Sequence, residues 1–370
     1  MNIEFWIFSD TWLILVLSYF IVTLSLNLEA GYTGIPNFGK ALFVFMGAWA
    51  AQGIGIRLAA LFMQHYDPKD SSLLVERLNS MLGQNYHSLV EAAGSTEANR
   101  IVAPHIYDFL FAHPALDITL FIVILLVTLG LAAAMGLIAS YAALRLREEY
   151  LAILLLSFSE LVVMVIFNQT DSLNGGPKGL WAVEFYPDNR LFALILGAVI
   201  SLLVFIYAER LGNSPMGRTM RAVRDDEVAA GVFGRDVAMT RLKVIMISSM
   251  IAALAGLVYI EAKPSAQTLT FNRVIWTFFP WAFLILGGMA NNKGAIVGVL
   301  VFMVLKRFVE FYVPQMAAGH SAAIQMLAAY LSNIIVGLLI LLVLYFRPQG
   351  VLPEKPSKTM DLDVVLEETK

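Results

Sequence analysis

The chain has 370 residues, of which 59% are hydrophobic and only 14% are charged, with a mean hydropathy of +0.73. Soluble domains usually carry about 25% charged residues, so this composition is that of a membrane protein. The net charge of −3, without a basic arm, gives no reason to expect nucleic-acid binding, and the lack of cysteine excludes disulfides and thiolate chemistry. Residues 1–10 contain no Lys or Arg and so lack the basic start of a signal peptide. The first apolar block is therefore predicted to remain as a membrane helix.

The apolar blocks have the length that a helix needs to cross a bilayer. They predict an all-α, polytopic transmembrane helical bundle of about nine spans (eight to ten). The predicted spans are 11–28, 41–63, 117–143, 150–168, 191–208, 244–260, 274–289, 294–305 with a short extension, and 324–346. Cytoplasmic loops are enriched in Lys and Arg, and the most basic segment is 209–243. This pattern predicts an external N-terminus, a cytoplasmic C-terminus, one transmembrane domain over 1–350 and a cytoplasmic tail over 351–370.

The stretch GYTGIPNFGKALF, residues 31–43, contains Gly34-x-x-x-x-Gly39-Lys40 and so approaches a phosphate-binding loop. A phosphate-binding loop needs a preceding strand and a Ser or Thr after the lysine to bind magnesium. Here Ala41 follows the lysine, and a predicted membrane helix precedes the loop. We therefore predict that this chain binds no ATP.

The same stretch has a glycine-rich, proline-broken backbone between two predicted spans. Irregular backbone at membrane depth occurs where it is buried in protein or lines a water-filled path, and broken helices mark substrate routes in transporters. A plain cytoplasmic turn is the alternative. The candidates for a translocation pathway in this region are Asn27, Gly31, Gly34, Asn37, Gly39 and Lys40.

The external segment 64–116 is an insertion between the second and third spans. Ser72 is predicted to cap a helix that ends near Gly94, because apolar residues recur there at helical spacing. The polar face is mixed rather than basic. A small lid packed on the outer surface is favoured over a membrane anchor.

Glu160 lies in an apolar span and is a candidate pathway residue, because carboxylates inside membranes are costly. A purely structural acid, hydrogen-bonded to Ser157 or to a neighbouring helix, is the alternative. The external loop LNGGPKGL adds Gly175 and Gly176 to the pathway candidates, although its glycines and proline by themselves indicate only a turn.

The basic segment 209–243 contains a predicted charged helix. Ser214 and Pro215 suit its first two positions, and the helix is predicted to cover 215–230 and to end near Gly231 or Gly234. It could be a solvated loop or a docking element, since Ala229 and Ala230 would let a partner come close. As a docking element, it would contact its partner through Gly217, Arg218, Arg221, Arg224, Asp226, Glu227, Ala229, Ala230 and Gly234.

The sequence contains no pattern typical of an enzyme or of a metal site. All five histidines fall in predicted external loops, without metal-ligand spacing, and no nucleophile lies beside a base. The chain is therefore predicted to be a non-enzyme without a metal.

Several segments resemble LivM-type permeases of branched-chain amino acid ABC transporters. They include SLNLEAGYTGIPNFGKALF, LREEYLAILLLSFSEL, LNGGPKGL, GRTMRAVRDDEVAAGVFG, LILGGMANNKGAIVG and LYFRPQGVL, in the family's order. The resemblance covers most of the chain outside 64–116, but Lys40 stands where the family usually has histidine.

The resemblance implies a permease subunit in the plasma membrane that binds no cofactor itself. Its implied partners are a LivH-type sibling permease, two ATP-binding subunits that hold ATP and Mg²⁺, and an extracytoplasmic solute-binding protein. The charged segment would be the coupling helix. A urea or other small-solute permease is the alternative within the family. An ion-coupled secondary transporter is the alternative from another class, disfavoured because Glu160 is the only carboxylate that we place firmly inside a span.

Overall fold

The computed structural model describes residues 9–143, 146, 148–168, 179, 182, 190–263, 266–317, 331, 334, 337–338, 341–342, 345–347 and 349–354. All regular secondary structure in these residues is helical, as predicted. Seven helical segments within them are long and apolar enough to cross a membrane. These segments are Asp10–Gly31, Lys40–Tyr66, Pro114–Tyr141, Glu149–Phe167, Leu191–Asn213, Val237–Ala262 and Thr268–Gly287.

The first two spans lie on either side of the glycine-rich stretch and both contain wider π-helical turns. Helix α1, Asp10–Leu26, continues as the π-helical turn Asn27–Gly31, so the first span ends later than predicted. The second span is α2, Lys40–Trp49, then the π-helical turn Ala50–Gly55, then α3, Ile56–Tyr66. Such turns are often found at functional sites.

The insertion forms three helices: α4, Pro68–Leu82, α5, Leu89–Gly94, and α6, Thr96–Ala112. The predicted start was wrong, because Asp67 rather than Ser72 caps α4, with Pro68 at the first helical position. The predicted single helix also breaks at Gly83, whose φ of +63° ends α4. The insertion packs against α3, and its place on the outer surface stays a prediction.

The rest of the bundle follows in chain order. Its helices are α7, Pro114–Ala143; α8, Glu148–Phe167; α9, Arg190–Asn213; α10, Pro215–Asp225; α11, Glu227–Val232; α12, Val237–Ala262; α13, Phe279–Gly287; and α14, Asn292–Ala317. The 3₁₀ turn Thr268–Thr270 and the π-helical turn Val274–Phe278 precede α13.

The centre of the bundle is formed by α1, α2 and α12, which are mostly buried, whereas α7, α8 and α9 expose apolar faces. Small residues bring the central helices close together. A Cβ on Gly47 would lie 1.8 Å from the carbonyl oxygen of Ala253, and one on Gly256 would lie 1.8 Å from that of Val44. The small residues on α12 therefore have a packing role, since they let the helix backbones approach closely.

The last two predicted spans have different outcomes. Helix α14 extends well beyond the predicted 294–305, and Lys306 pairs with Glu310 at 3.7 Å. With these charges in its second half, α14 is not among the seven candidate spans. Most of 324–346 lies outside the described residues, so the count of nine stays a prediction.

Candidate functional site

A buried ion pair joins the two sides of the glycine-rich stretch. Lys40 Nζ lies 2.9 Å from Glu29 Oε2, and both side chains are 0% exposed. Lys40 also donates a hydrogen bond to Ser248 on α12, and the Ser248 hydroxyl donates to the Ser25 carbonyl at 3.0 Å. We call Glu29, Lys40 and Ser248, together with Asn27 and Asn292, the polar centre.

Glu29 corrects one argument made from the sequence. It lies inside the first candidate span, so Glu160 is not the only carboxylate within a span. The sequence prediction missed Glu29 because it placed the end of the first span at residue 28. An acid and a lysine at the facing ends of two apolar blocks were the signal that could have revealed the pair, since buried charges are nearly always paired.

Asn27 extends the polar centre toward two other parts of the bundle. Its side-chain amide donates to Asn292 Oδ1 at 2.9 Å, and its Oδ1 accepts from the Ala290 backbone N–H at 2.9 Å. The Asn292 amide in turn donates to Glu209 Oε2 on α9 at 3.0 Å. A chain of hydrogen bonds therefore connects the π-helical end of the first span, the turn after α13, the start of α14 and α9.

The glycines of the stretch allow close approach of backbones. A Cβ on Gly31 would lie 2.6 Å from the Ala290 nitrogen, and one on Gly39 would lie 2.6 Å from the Leu155 carbonyl oxygen on α8. Gly34 has a φ of +75°, which favours glycine. Asn37 is buried, and its Oδ1 accepts from the Gly39 backbone N–H at 2.8 Å.

Glu160 lies apart from the polar centre in its contacts. Its side chain is about one-third exposed on α8 and lies 3.8 Å from Nη1 of Arg273, a more exposed partner that the sequence prediction did not name. Gly175 and Gly176 lie outside the described residues. The structure thus brings together the predicted pathway residues between 27 and 40, whereas Glu160 contacts Arg273 instead.

The predicted coupling helix is two helices rather than one. Ser214 caps α10 as expected, since its hydroxyl accepts from the Gly217 N–H at 3.3 Å. The prediction of one helix over 215–230 was wrong, because α10 ends at Asp225. Asp226 adopts an extended conformation and caps α11 by accepting from the Ala229 N–H at 2.9 Å. Gly234, with a φ of +75°, follows the end of α11.

Helix α11 presents an exposed apolar surface at its end. Val228, Val232 and Phe233 are 77%, 80% and 83% exposed, and we call these three residues the apolar tip. The sequence had suggested that Ala230 presents a small face to a partner. In this structure Ala230 is only 4% exposed and does not do so. An ion pair of 2.8 Å between Glu227 and Arg241 ties α11 to α12.

Of the three arginines of α10, one is exposed to solvent and two contact the bundle. Arg218 is exposed. Arg224 donates from Nη1 to the Gly31 carbonyl oxygen at 2.8 Å, and Arg221 donates to that of Gly212 at 3.1 Å. The Arg221 guanidinium also lies 5.1 Å from the centre of the Tyr32 ring. Burial of this ring raises the pKa of the Tyr32 hydroxyl. The segment therefore contacts the backbone next to the polar centre.

These features are those of an integral membrane protein. It has several helical spans and a buried polar centre, and the charged helix α10 contacts the backbone next to that centre. The chain matches the family described as "Branched-chain amino acid transport system / permease component" over residues 8–344. Since the match covers most of the chain, the protein belongs to this family of transport permeases and has a transport role rather than an enzymatic one.

Proteins named as permeases are similar to this chain. It is 34% identical over 346 residues to "Probable branched-chain amino acid transport permease protein LivM" of Methanocaldococcus jannaschii, covering 92% of each chain. It is 26% identical over 254 residues to "High-affinity branched-chain amino acid transport system permease protein LivM" of Escherichia coli, covering 60% of this chain and 55% of that one. No solved structure shows significant similarity to the chain.

Proposed function

We propose that the chain is the permease subunit of an ATP-binding-cassette importer that moves branched-chain or related small amino acids across the plasma membrane. A sibling permease, two ATP-binding subunits and an extracytoplasmic solute-binding protein would complete the transporter. ATP and Mg²⁺ would bind to the ATP-binding subunits. The observation that carries this proposal is the exposed apolar tip on a segment that contacts the polar centre.

The apolar tip has the character of a docking surface. Val228 and Val232 lie four residues apart on α11, Phe233 follows Val232, and all three expose most of their area. Clustered exposed apolar residues mark interaction sites more often than scattered ones do, and aromatic residues are frequent binding anchors. Asp226 and Gly234 fix the two ends of α11, and Ala230 packs inward. We infer that the tip inserts into a groove of the ATP-binding subunit, while Arg218 contributes an exposed charge.

The polar centre supports a position for the transport route. Asn27, Gly31, Gly34, Asn37, Gly39 and Lys40 would border the route at its cytoplasmic end, and Glu160, Gly175 and Gly176 would border it elsewhere. Lys40 and Glu29 neutralise each other in this conformation. Contacts of the α10 arginines with Gly31 and Gly212 would carry movement of the docked tip toward the polar centre. The substrate class rests on the family and on the names of the relatives.

Binding of the ATP-binding subunit tests the docking role of the tip. We expect Phe233→Asp to weaken its capture by detergent-solubilised permease at least about tenfold, the scale of an aromatic anchor residue. Leu73→Asp is the matched control, because Leu73 is also an exposed apolar residue but lies on α4 of the insertion. Equal capture by the two variants would contradict the docking role.

Uptake into proteoliposomes tests the transport function. Reconstituted with its partner subunits, the permease should take up leucine or valine in preference to urea. Uptake should stop when the ATP-binding lysine of the partner ATPase is replaced, and it should continue in the presence of a protonophore. Preference for urea would favour the other substrate class in the family. Uptake that depends on the proton gradient and not on the ATPase would favour an ion-coupled transporter.

A further inference from the structure

We propose that residues 349–354 form a fixed link between α10 and residues 288–291, the turn after α13. Glu354 is the positioning residue at the end of this link that contacts α10. We call residues 349–354 the strap. The inference rests on the proposed coupling role of α10 and α11. The strap would make the turn after α13 move together with α10.

Backbone hydrogen bonds attach the strap to the end of α13. The N–H of Val351 donates to the Leu286 carbonyl oxygen at 2.9 Å, and the N–H of Leu352 donates to that of Gly287 at 2.9 Å. The Asn291 side-chain amide donates to the Leu352 carbonyl oxygen at 3.1 Å. The strap therefore pairs with the last turn of a membrane helix through its main chain.

Glycines on both sides allow this close contact. A Cβ on Gly350 would lie 2.5 Å from the Gly288 nitrogen, and a Cβ on Gly288 would lie 2.2 Å from the Leu352 carbonyl oxygen. Both glycines have positive φ, +76° and +113°. Since neither position has room for a side chain, the strap lies in a fixed register on the turn.

Glu354 attaches the other end of the strap to α10. Its carboxylate oxygens lie 3.0 Å from Arg224 Nη1 and 3.5 Å from Arg221 Nε. The same Arg224 nitrogen donates to the Gly31 carbonyl oxygen. All three side chains are about one-quarter to one-third exposed, so the contact is partly shielded from water.

The strap gives α10 a second connection to the polar centre. The first connection runs directly from Arg224 to Gly31. The second runs through Glu354 and the strap to the turn after α13, where Ala290 binds the Asn27 side chain, and from there to Asn292 at the start of α14, which also binds it. Through the strap, a displacement of α10 would move Ala290 and Asn292, which both bind the Asn27 side chain. Without the strap, it would move only the end of the first span at Gly31.

Neutralising Glu354 tests the end of the strap that contacts α10. We expect Glu354→Gln to lower the number of substrate molecules transported per ATP hydrolysed by about two- to fivefold, the size expected of partly exposed ion pairs. Capture of the ATP-binding subunit should stay at the wild-type level, because the apolar tip is unchanged. Glu310→Gln is the matched control: it removes the carboxylate of the Lys306 pair on α14 and should leave the transport ratio unchanged.

Gly350→Ala tests the end of the strap that contacts the turn. The added Cβ would collide with the Gly288 backbone, so we expect the same loss of coupling with normal capture of the ATP-binding subunit. Gly83→Ala is the matched control, because Gly83 has a similar φ of +63° but nothing within 4 Å of an added Cβ. This pair separates the effect of the contact from that of backbone strain.

The outcomes separate this inference from the proposed function. If wild-type permease shows ATP-dependent uptake while Glu354→Gln and Gly350→Ala both couple normally, the strap is not a link and the inference is wrong. If wild-type permease shows no ATP-dependent uptake with its partners, the proposed function itself fails. Loss of coupling in both variants with intact ATPase capture supports the inference.

Discussion

The polar centre and the apolar tip place charged and apolar residues in opposite ways. In the polar centre, Lys40 and Glu29 are fully buried in the bundle and bound to each other. In the apolar tip, Val232 and Phe233 are about four-fifths exposed at the end of a six-residue helix. Each arrangement is costly by itself, since burial disfavours charge and water disfavours apolar surface.

The polar centre and the apolar tip differ in whether the chain itself supplies the contact partners of their side chains. Glu29 in the π-helical turn after α1 and Lys40 at the start of α2 compensate each other's charge, and Lys40 also binds Ser248 on α12, so the chain itself supplies the charge partners of this region. The tip is held at its base by Asp226 and Arg241, but its apolar side chains remain exposed. Changes in the polar centre should therefore affect folding, whereas changes in the tip should affect assembly.

The largest effect is expected from breaking the buried ion pair. Lys40→Met leaves Glu29 buried without its partner, which should lower the free energy of unfolding by about 3–5 kcal/mol. The loss should appear as a lower midpoint of thermal unfolding in detergent and a lower yield of folded permease. The double variant Glu29→Gln/Lys40→Met removes both charges and should recover most of the stability. A stable single variant would show that the pair is not needed for the fold.

A smaller effect is expected from crowding the central helix contact. The Cβ of Gly47→Val would meet the Ala253 carbonyl oxygen, and such overpacking typically costs about 1–3 kcal/mol. Thermal unfolding of the purified permease measures this cost. Gly130→Val is the matched control, because an added Cβ at Gly130 on α7 meets nothing within 4 Å. Equal unfolding midpoints for the two variants would mean that α2 and α12 are not in close contact.

The smallest effect is expected at Glu160. Its pair with Arg273 is long and partly exposed, so Glu160→Gln should change the free energy of unfolding by no more than about 1 kcal/mol. Glu160→Leu should lose more transport than Glu160→Gln, since it also removes the hydrogen-bonding group. Uptake into proteoliposomes compares the two variants. A loss of all uptake in Glu160→Gln would instead make this charge essential to the route.

The sequence predicted the seven candidate spans well because membrane spans follow from long apolar blocks. It also predicted the Ser214 cap and the break in the backbone between residues 31 and 39, since these depend on local residue types. The pairing of Lys40 with Glu29 and Ser248 depends on how three helices meet, which no local pattern specifies. The break at Asp226 was missed because helix-forming residues continue on both sides of it.

The contrast between Ala230 and Phe233 shows the same limit. Composition suggested that the small residue would face a partner, but the cap at Asp226 turns α11 so that Ala230 packs inward and Phe233 extends outward. The direction of a short helix depends on its caps and on the ion pair between Glu227 and Arg241. This ion pair joins residues that are 14 positions apart.

Labelling of a single cysteine at position 233 is the most direct test of whether the apolar tip docks on the ATP-binding subunit, because the chain has no other cysteine. Phe233→Cys should react quickly with a water-soluble maleimide in the isolated, detergent-solubilised permease. It should become protected once the ATP-binding subunit is added, whereas Ser80→Cys on the exposed face of α4 should react equally in both states. Protection of position 233 alone is the predicted result. Equal labelling of Phe233→Cys with and without bound ATP-binding subunit would contradict the claim that the tip docks there.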